Sequence, residues 1–245
     1  MNAGIREQSG LKHRKPSDYI NAGTNLQEEI EMDIEKERKE RVQWIYSSSD
    51  NKELAERYDQ WAKDYDSDLN EAFGWLGPQR AVEFFSRYAA KNAKVLDAGV
   101  GTGLVGQLLA KQGYKDLTAM DLSKGMLDVA RAKGVYRAFH QMVMGEPLDY
   151  ATDSFDAVIS VGVLTVGHAP ASSFDELIRV TKPGGYIVFS LRPDVFRDSG
   201  FKEKQDSLES EGKWRLVEVS EEFQPLPKGE PDVYHQIWVY QVTPR

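Results

Sequence analysis

Val95-Leu96-Asp97-Ala98-Gly99-Val100-Gly101-Thr102-Gly103 decides how this chain folds. A short apolar run ends on an acid, breaks into alternating glycines, and passes into the amphipathic stretch Leu104–Gln112, stopped by Gly113. The pattern predicts a buried strand, a tight turn and a helix. In an open α/β sheet that turn lies at the carboxyl end of a strand, where ligands bind. Its glycines allow close backbone approach, and the following helix N-terminus offers free N–H groups to an anion.

Downstream, strands and helices alternate. Asp116–Asp121 reads as a second strand, followed by a helix capped by Ser123 and carrying Met126, Leu127, Val129 and Ala130. Val135–Val143 and the nearly continuous apolar run Phe155–Val161 read as a third and fourth strand. Ser173 and Glu176 have the spacing of a capping box, and Lys182-Pro183-Gly184-Gly185 turns into a fifth strand, Tyr186–Arg192. A polar helix near Phe201–Glu211 precedes two alternating strands, Trp214–Val219 and Val233–Val242. Together these predict an α/β fold: a doubly wound, mostly parallel sheet closed by an antiparallel edge.

Upstream, Asp50 can cap a helix through Leu54, Tyr58 and Trp61, and Pro78 opens another carrying Ala81, Val82 and Phe85. Residues 1–41 are polar and charged, and read as an N-terminal extension, mobile or helical, outside a domain spanning 42–245.

Composition narrows the chemistry. The sequence contains no cysteine, which excludes disulfides and thiolate sites. Its four histidines (His13, His140, His168 and His235) lack metal-ligand spacing, so no metal is expected. A net charge of -8 argues against nucleic acid as a partner. No apolar run has the length of a membrane span, and the expected location is cytoplasmic.

The glycine turn has two readings. Gly101-Thr102-Gly103-Leu104-Val105-Gly106 is literally G-x-G-x-x-G, with Asp121 at the distance a dinucleotide fingerprint asks. Asp97 separates them: its carboxylate would be repelled by a pyrophosphate but stabilised by a ligand bearing ammonium and sulfonium charges. The plain alternative for Asp97 is a turn-stabilising carboxylate. Asp121 can accept both ribose hydroxyls with either cofactor.

Four segments then resemble the class I S-adenosylmethionine-dependent methyltransferases: Leu96–Gly103, Met120-Asp121-Leu122-Ser123, Ser154–Val158 and Arg179–Gly185, in that family's order. Tyr58–Asp66 and Val161–His168 resemble the family's methyltransferase-like branch represented in the Williams–Beuren syndrome region. The resemblance implies a seven-stranded Rossmann-like sheet whose last strand is antiparallel, with an N-terminal helical lid over about residues 50–75. It implies S-adenosylmethionine as cofactor, S-adenosylhomocysteine as product, and cofactor contacts from Asp97, Gly99, Gly101, Thr102, Gly103 and Asp121. Tyr58 and Tyr65 are the lid aromatics expected to cover the cofactor, with Leu122, Met126 and Val161 around it. One departure concerns adenine: Met144 stands where many relatives carry an acid, leaving backbone groups around Met144–Glu146 to hold the amino group.

Methyl transfer from a sulfonium needs positioning more than covalent help, so a dedicated catalytic residue is not required. His168, on the loop after the fourth strand, is the candidate polar group at the acceptor. The expected acceptor is a small molecule, with a protein side chain as the other choice. Two rival readings stand beside this one: a methyltransferase-fold scaffold without turnover, and a nicotinamide-dependent oxidoreductase.

Overall fold

The computed structural model describes residues 36–38 and 40–244. The chain divides into two units, residues 1–41 and 42–245. The described part of the first is helical, and most of the expected extension lies outside the described residues.

In the second unit, helix α1 (Asn51–Trp61) is capped as its sequence predicts: Asp50 accepts from the Glu53 amide at 2.8 Å. After α2 (Tyr65–Asp68) and a π-helical turn (Leu69–Phe73), Gly74 takes a left-handed φ of 66° and frees the chain to start α3 (Gly77–Tyr88). The alternating part then runs β1 (Lys94–Ala98), α4 (Leu104–Lys111), β2 (Asp116–Asp121), α5 (Lys124–Ala132), β3 (Ala138–Gln141), β4 (Phe155–Ser160), α6 (Ser173–Val180) and β5 (Thr181–Leu191). Helices α7 (Pro193–Asp198) and α8 (Phe201–Ser210) lead to β6 (Trp214–Val219) and β7 (Gln236–Val242).

The described residues form one seven-stranded sheet ordered β3-β2-β1-β4-β5-β7-β6. Strands β1 to β5 pair in parallel, while β7 pairs antiparallel with both β5 and β6. The order reverses at β1, beside β4, and the turn after β1 is therefore the switch point where ligand sites form. Strands buried on both faces account for the mostly apolar runs of β1 and β4, interrupted by Asp97 and Asp156.

One face carries Leu96, Val158, Phe174, Phe189, Trp214, Trp238 and Tyr240 among its buried core residues; the other carries Val82, Phe85, Val95, Leu109, Leu117 and Ile159. On the first face, rings of β5, β6 and β7 stack across the strands, Trp214 on Tyr240 at 4.0 Å and Phe189 on Tyr240 at 6.1 Å. Stacking of this kind adds to the area buried and pins the register of adjacent strands.

Three local expectations need correction. The capping box does not form: Ser172 is the N-cap residue, the Ser173 hydroxyl is buried without a partner, and Glu176 is taken by Arg179 at 2.6 Å and the Leu148 amide at 2.7 Å. A bidentate guanidinium holds a carboxylate more strongly than one amide does, and it wins. The third strand is only Ala138–Gln141, because β2 is its single neighbour. Lys182–Gly185 belongs to β5 as an irregularity opposite Phe155 and Ala157, where a Cβ on Gly185 would meet the Asp156 carbonyl oxygen at 2.5 Å.

Candidate functional site

The turn after β1 is held by its neighbour strand. The Gly99 and Val100 amides donate to the Met120 carbonyl at 2.8 and 2.9 Å, and the Gly101 amide donates to Asp121 Oδ2 at 2.8 Å. Gly99, Gly101 and Gly103 all have positive φ, the region glycine enters without penalty. Asp121 Oδ1 also accepts from the Ser123 amide at 2.9 Å. Asp121 is thus a backbone organiser as well as the acid at the end of β2. Burial pushes its carboxyl up to about 6, against the pull of those amides.

Asp97 is 1% exposed. Its Oδ2 accepts from the Tyr136 hydroxyl at 2.6 Å, and that hydroxyl in turn accepts from the Gly106 amide at 3.0 Å. Asp97 Oδ1 is buried with no partner. Burial, only partly offset by Tyr136, raises this carboxyl to about 7. Tyr136 was not singled out by sequence reading: it lies between elements, and no local pattern ties it to β1. It also explains the third glycine of the literal G-x-G-x-x-G, since a Cβ on Gly106 would lie 2.1 Å from the Tyr136 oxygen. That glycine makes room for a tyrosine.

One cavity opens at this turn, through Gly99, and a second shares His168 with it. The smaller, about 360 Å³, is apolar and bounded by Gly99, Asp121, Leu122, Met142, Met144 and Val163. The larger, about 750 Å³ including its open mouth, is walled by Tyr46, Tyr58, Trp61, Tyr65 and Trp75, with Arg192, Glu230 and His235 among its polar groups. His168 lines both cavities. Its Nε2 shares a 2.9 Å hydrogen bond with the Tyr58 hydroxyl, and its Nδ1 is buried without a partner. Desolvation lowers the imidazole below its ordinary value, and desolvation raises Tyr58 well above its own. The pair is therefore a neutral ring beside a neutral phenol at pH 7.

The structure brings Tyr58, Tyr65, Gly99, Asp121, Leu122 and His168 onto cavity walls. Gly101, Thr102 and Gly103 shape the turn beside them. Met126 is buried in α5, where its amide donates to Ser123 Oγ at 3.0 Å, and Val161 packs on the opposite face of the sheet; neither lines a cavity. Gly162 lines the larger cavity and Val163 the smaller.

Two further carboxylates had escaped sequence reading. Asp59 Oδ1 accepts from Ser123 Oγ at 2.6 Å and from the Gly125 amide at 2.7 Å, fastening α1 to the start of α5. Asp66 accepts from the Thr102 hydroxyl and pairs with Lys133 at 2.6 Å, fastening α2 to the glycine turn. Their only sequence signal was the density of acids in Tyr58–Asp66.

Residues present fit S-adenosylmethionine better than a dinucleotide. The unpartnered Asp97 Oδ1 is an acceptor that an ammonium would satisfy, Asp121 is an acid on the wall of the smaller cavity, and that cavity offers apolar walls to a purine. A pyrophosphate would meet two buried carboxyl groups with no cation among them.

Comparison with known proteins agrees with this geometry. Residues 96–189 match a family model described as a methyltransferase domain. The chain is 36% identical over 167 residues to human methyltransferase-like protein 27, covering 64% of this chain and 66% of that protein. It is 36% identical over 101 residues to the ubiquinone biosynthesis O-methyltransferase of Alkalilimnicola ehrlichii, covering 40% of each. The chain thus spans just under two thirds of the first relative's length and two fifths of the second's. Among solved structures it is similar to a complex of the Haloferax volcanii Trm112 methyltransferase activator with a methyltransferase, with a TM-score of 0.58 at 17% identity over 76% of this chain and 98% of that one. Motif order, sheet topology and sequence similarity agree that residues 96–189 form a methyltransferase domain, in a chain whose fold is similar to those of S-adenosylmethionine-dependent methyltransferases.

Proposed function

We propose that this protein transfers a methyl group from S-adenosylmethionine to a small-molecule acceptor. The observation that carries the reading is the pair of adjoining cavities with His168 on the wall of both. The smaller, at the glycine turn and Asp121, suits the adenosine part of the cofactor, and the larger, lined by aromatic rings, suits the acceptor. When bound, the cofactor supplies an activated methyl group on a cationic sulfur.

The chain's own groups do the rest. Asp97 holds the ammonium end, Asp121 the ribose, and Leu122 with Met142 and Met144 the apolar faces of the base. Tyr58 and Tyr65, carried on helices fastened by Asp59 and Asp66, form a lid that excludes water and fixes the acceptor in line. His168 is the group that would receive a proton from the acceptor. Bacterial relatives named for quinone methylation support a small-molecule acceptor, and the cysteine-free, acidic sequence is in keeping with a cytoplasmic enzyme.

Calorimetric titration with S-adenosylmethionine, S-adenosylhomocysteine and NAD, repeated on Asp97→Ala, tests the reading. Binding of both sulfur cofactors, weakened in the variant, is the expected result. Binding of NAD alone refutes it.

A further inference from the structure

His168 and His235, both on the wall of the larger cavity, each carry a buried Nδ1 with no hydrogen-bond partner. An unpaired buried polar atom costs roughly 1–3 kcal/mol, and two on residues lining one cavity are most simply explained by a ligand that pairs with both. Neither nitrogen is free to turn away. The His168 ring is hemmed by Tyr46 at 5.6 Å and Tyr58 at 5.8 Å. His235 exchanges two backbone bonds of 2.9 Å with Phe223, and its ring meets Trp75 edge-on at 6.4 Å.

The cavity also discourages charge. Desolvation lowers His168 and takes His235 down to about 4, so both rings are neutral at pH 7. Burial raises the Glu230 carboxyl above its ordinary value, with Arg192 pulling the other way. The Arg192 guanidinium is itself occupied by Asp194 through bonds of 3.0 and 2.6 Å. Beside the hydroxyl-bearing Tyr46, Tyr65 and Thr165, the wall offers flat aromatic surface and two neutral imidazoles.

Resting on the methyltransferase reading, we propose that the acceptor is an uncharged, planar ring compound with two hydrogen-bonding groups: a hydroxyl that is methylated, held at His168, and a second polar group held at His235. Rings of Tyr58, Trp61 and Trp75 suit the faces of such a molecule. A neutral imidazole at His168 can take the proton of a phenol or enol, whose acidity lies closer to its own than that of an alkanol. His235 acts as a specificity residue at the far polar group, not on the reacting atom.

The test uses the full chain saturated with S-adenosylhomocysteine and three naphthalene probes followed by calorimetry: the dihydroxy isomers, a hydroxynaphthoate and a protonated aminomethylnaphthol. We expect a dihydroxy isomer to bind and both charged probes to bind at least tenfold more weakly. In His235→Phe the dihydroxy probe should weaken about tenfold, the equivalent of one hydrogen bond, with partial recovery in His235→Gln. Affinity for S-adenosylhomocysteine should be unchanged in both, which also shows that the variants fold. Tighter binding of either charged probe, no binding of any dihydroxy isomer, or an unaltered affinity in His235→Phe overturns the inference. Failure of S-adenosylhomocysteine itself to bind would instead overturn the methyltransferase reading on which it rests.

Discussion

Replacing Tyr136 with Phe removes one oxygen and leaves two buried groups stranded. Asp97 Oδ2 loses the donor at 2.6 Å, and the Gly106 amide loses the acceptor at 3.0 Å. The ring itself fits, since phenylalanine keeps the packing against α4. A bond to a charged group contributes roughly 1.5–3 kcal/mol, and an orphaned amide costs on the order of 1–3 kcal/mol. Allowing for overlap, the variant should lose about 2–4 kcal/mol at alkaline pH, which for a domain of this size lowers the melting temperature by about 4–16 °C.

The pH dependence is the sharper test. Burial pushes the Asp97 carboxyl up to about 7 in the folded chain from an ordinary 3.8, so its contribution to stability falls as pH rises between those values. Tyr136 is what holds the folded value down, and its loss moves that value higher. At about pH 5.5 Asp97 is protonated in both proteins, and the variant gives up only neutral hydrogen bonds. At about pH 8.5 the ionised carboxylate has lost its donor and the deficit is larger. Scanning calorimetry of both proteins at the two pH values measures the difference, from which the titration of Asp121 cancels. A deficit equal at both, or none at either, would refute the account of Asp97 as a buried acid restrained by Tyr136.

Other outcomes follow from the same geometry. Affinity for S-adenosylmethionine should fall as pH drops from about 7 toward 5, up to about tenfold per pH unit from Asp97 alone, because the cationic ligand needs the ionised carboxylate; a flat calorimetric profile over that range would be incompatible with the proposed contact. Gly106→Ala should destabilise by about 1–3 kcal/mol, since the new Cβ meets the Tyr136 oxygen at 2.1 Å and its ring carbon Cζ at 2.2 Å, and the penalty should shrink when combined with Tyr136→Ala, which removes the whole ring; additive melting shifts would argue otherwise. Asp59→Ala removes acceptors from Ser123 and Gly125, so hydrogen exchange across Asn51–Trp61 should quicken while β1 and β4 stay protected. Equal exchange in both proteins would mean that Asp59 does not fasten α1.

How much was legible in the sequence follows from the range of the interactions concerned. The acid-glycine turn, the Asp50 and Ser123 caps and the apolar runs of β1 and β4 are set by neighbours along the chain, and each appears where its pattern predicts. The Ser173 cap failed because Arg179 competes for Glu176, a contact that spacing alone cannot weigh. Tyr136, Asp59 and Asp66 act across long stretches of chain, and their roles depend on packing between elements that no periodicity encodes. His235 reaches the larger cavity because the β6–β7 connection folds back over the N-terminal helices, where the Leu76 amide bonds Pro225 at 2.9 Å and the Lys228 amide bonds Phe73 at 3.2 Å. A connection of irregular backbone gives little forewarning of where it lands.

The position of β7 between β5 and β6 has a consequence for biogenesis. A chain made from its amino end produces β6 before the strand that must separate it from β5. Until β7 has been made, the edge of β5 and the whole of β6 present unpaired backbone, and Phe189, Trp214 and their neighbours wait without the rings that later stack on them. Such an intermediate is prone to pair with other chains, which makes the interval before β7 leaves the ribosome the time at which this protein most depends on chaperones.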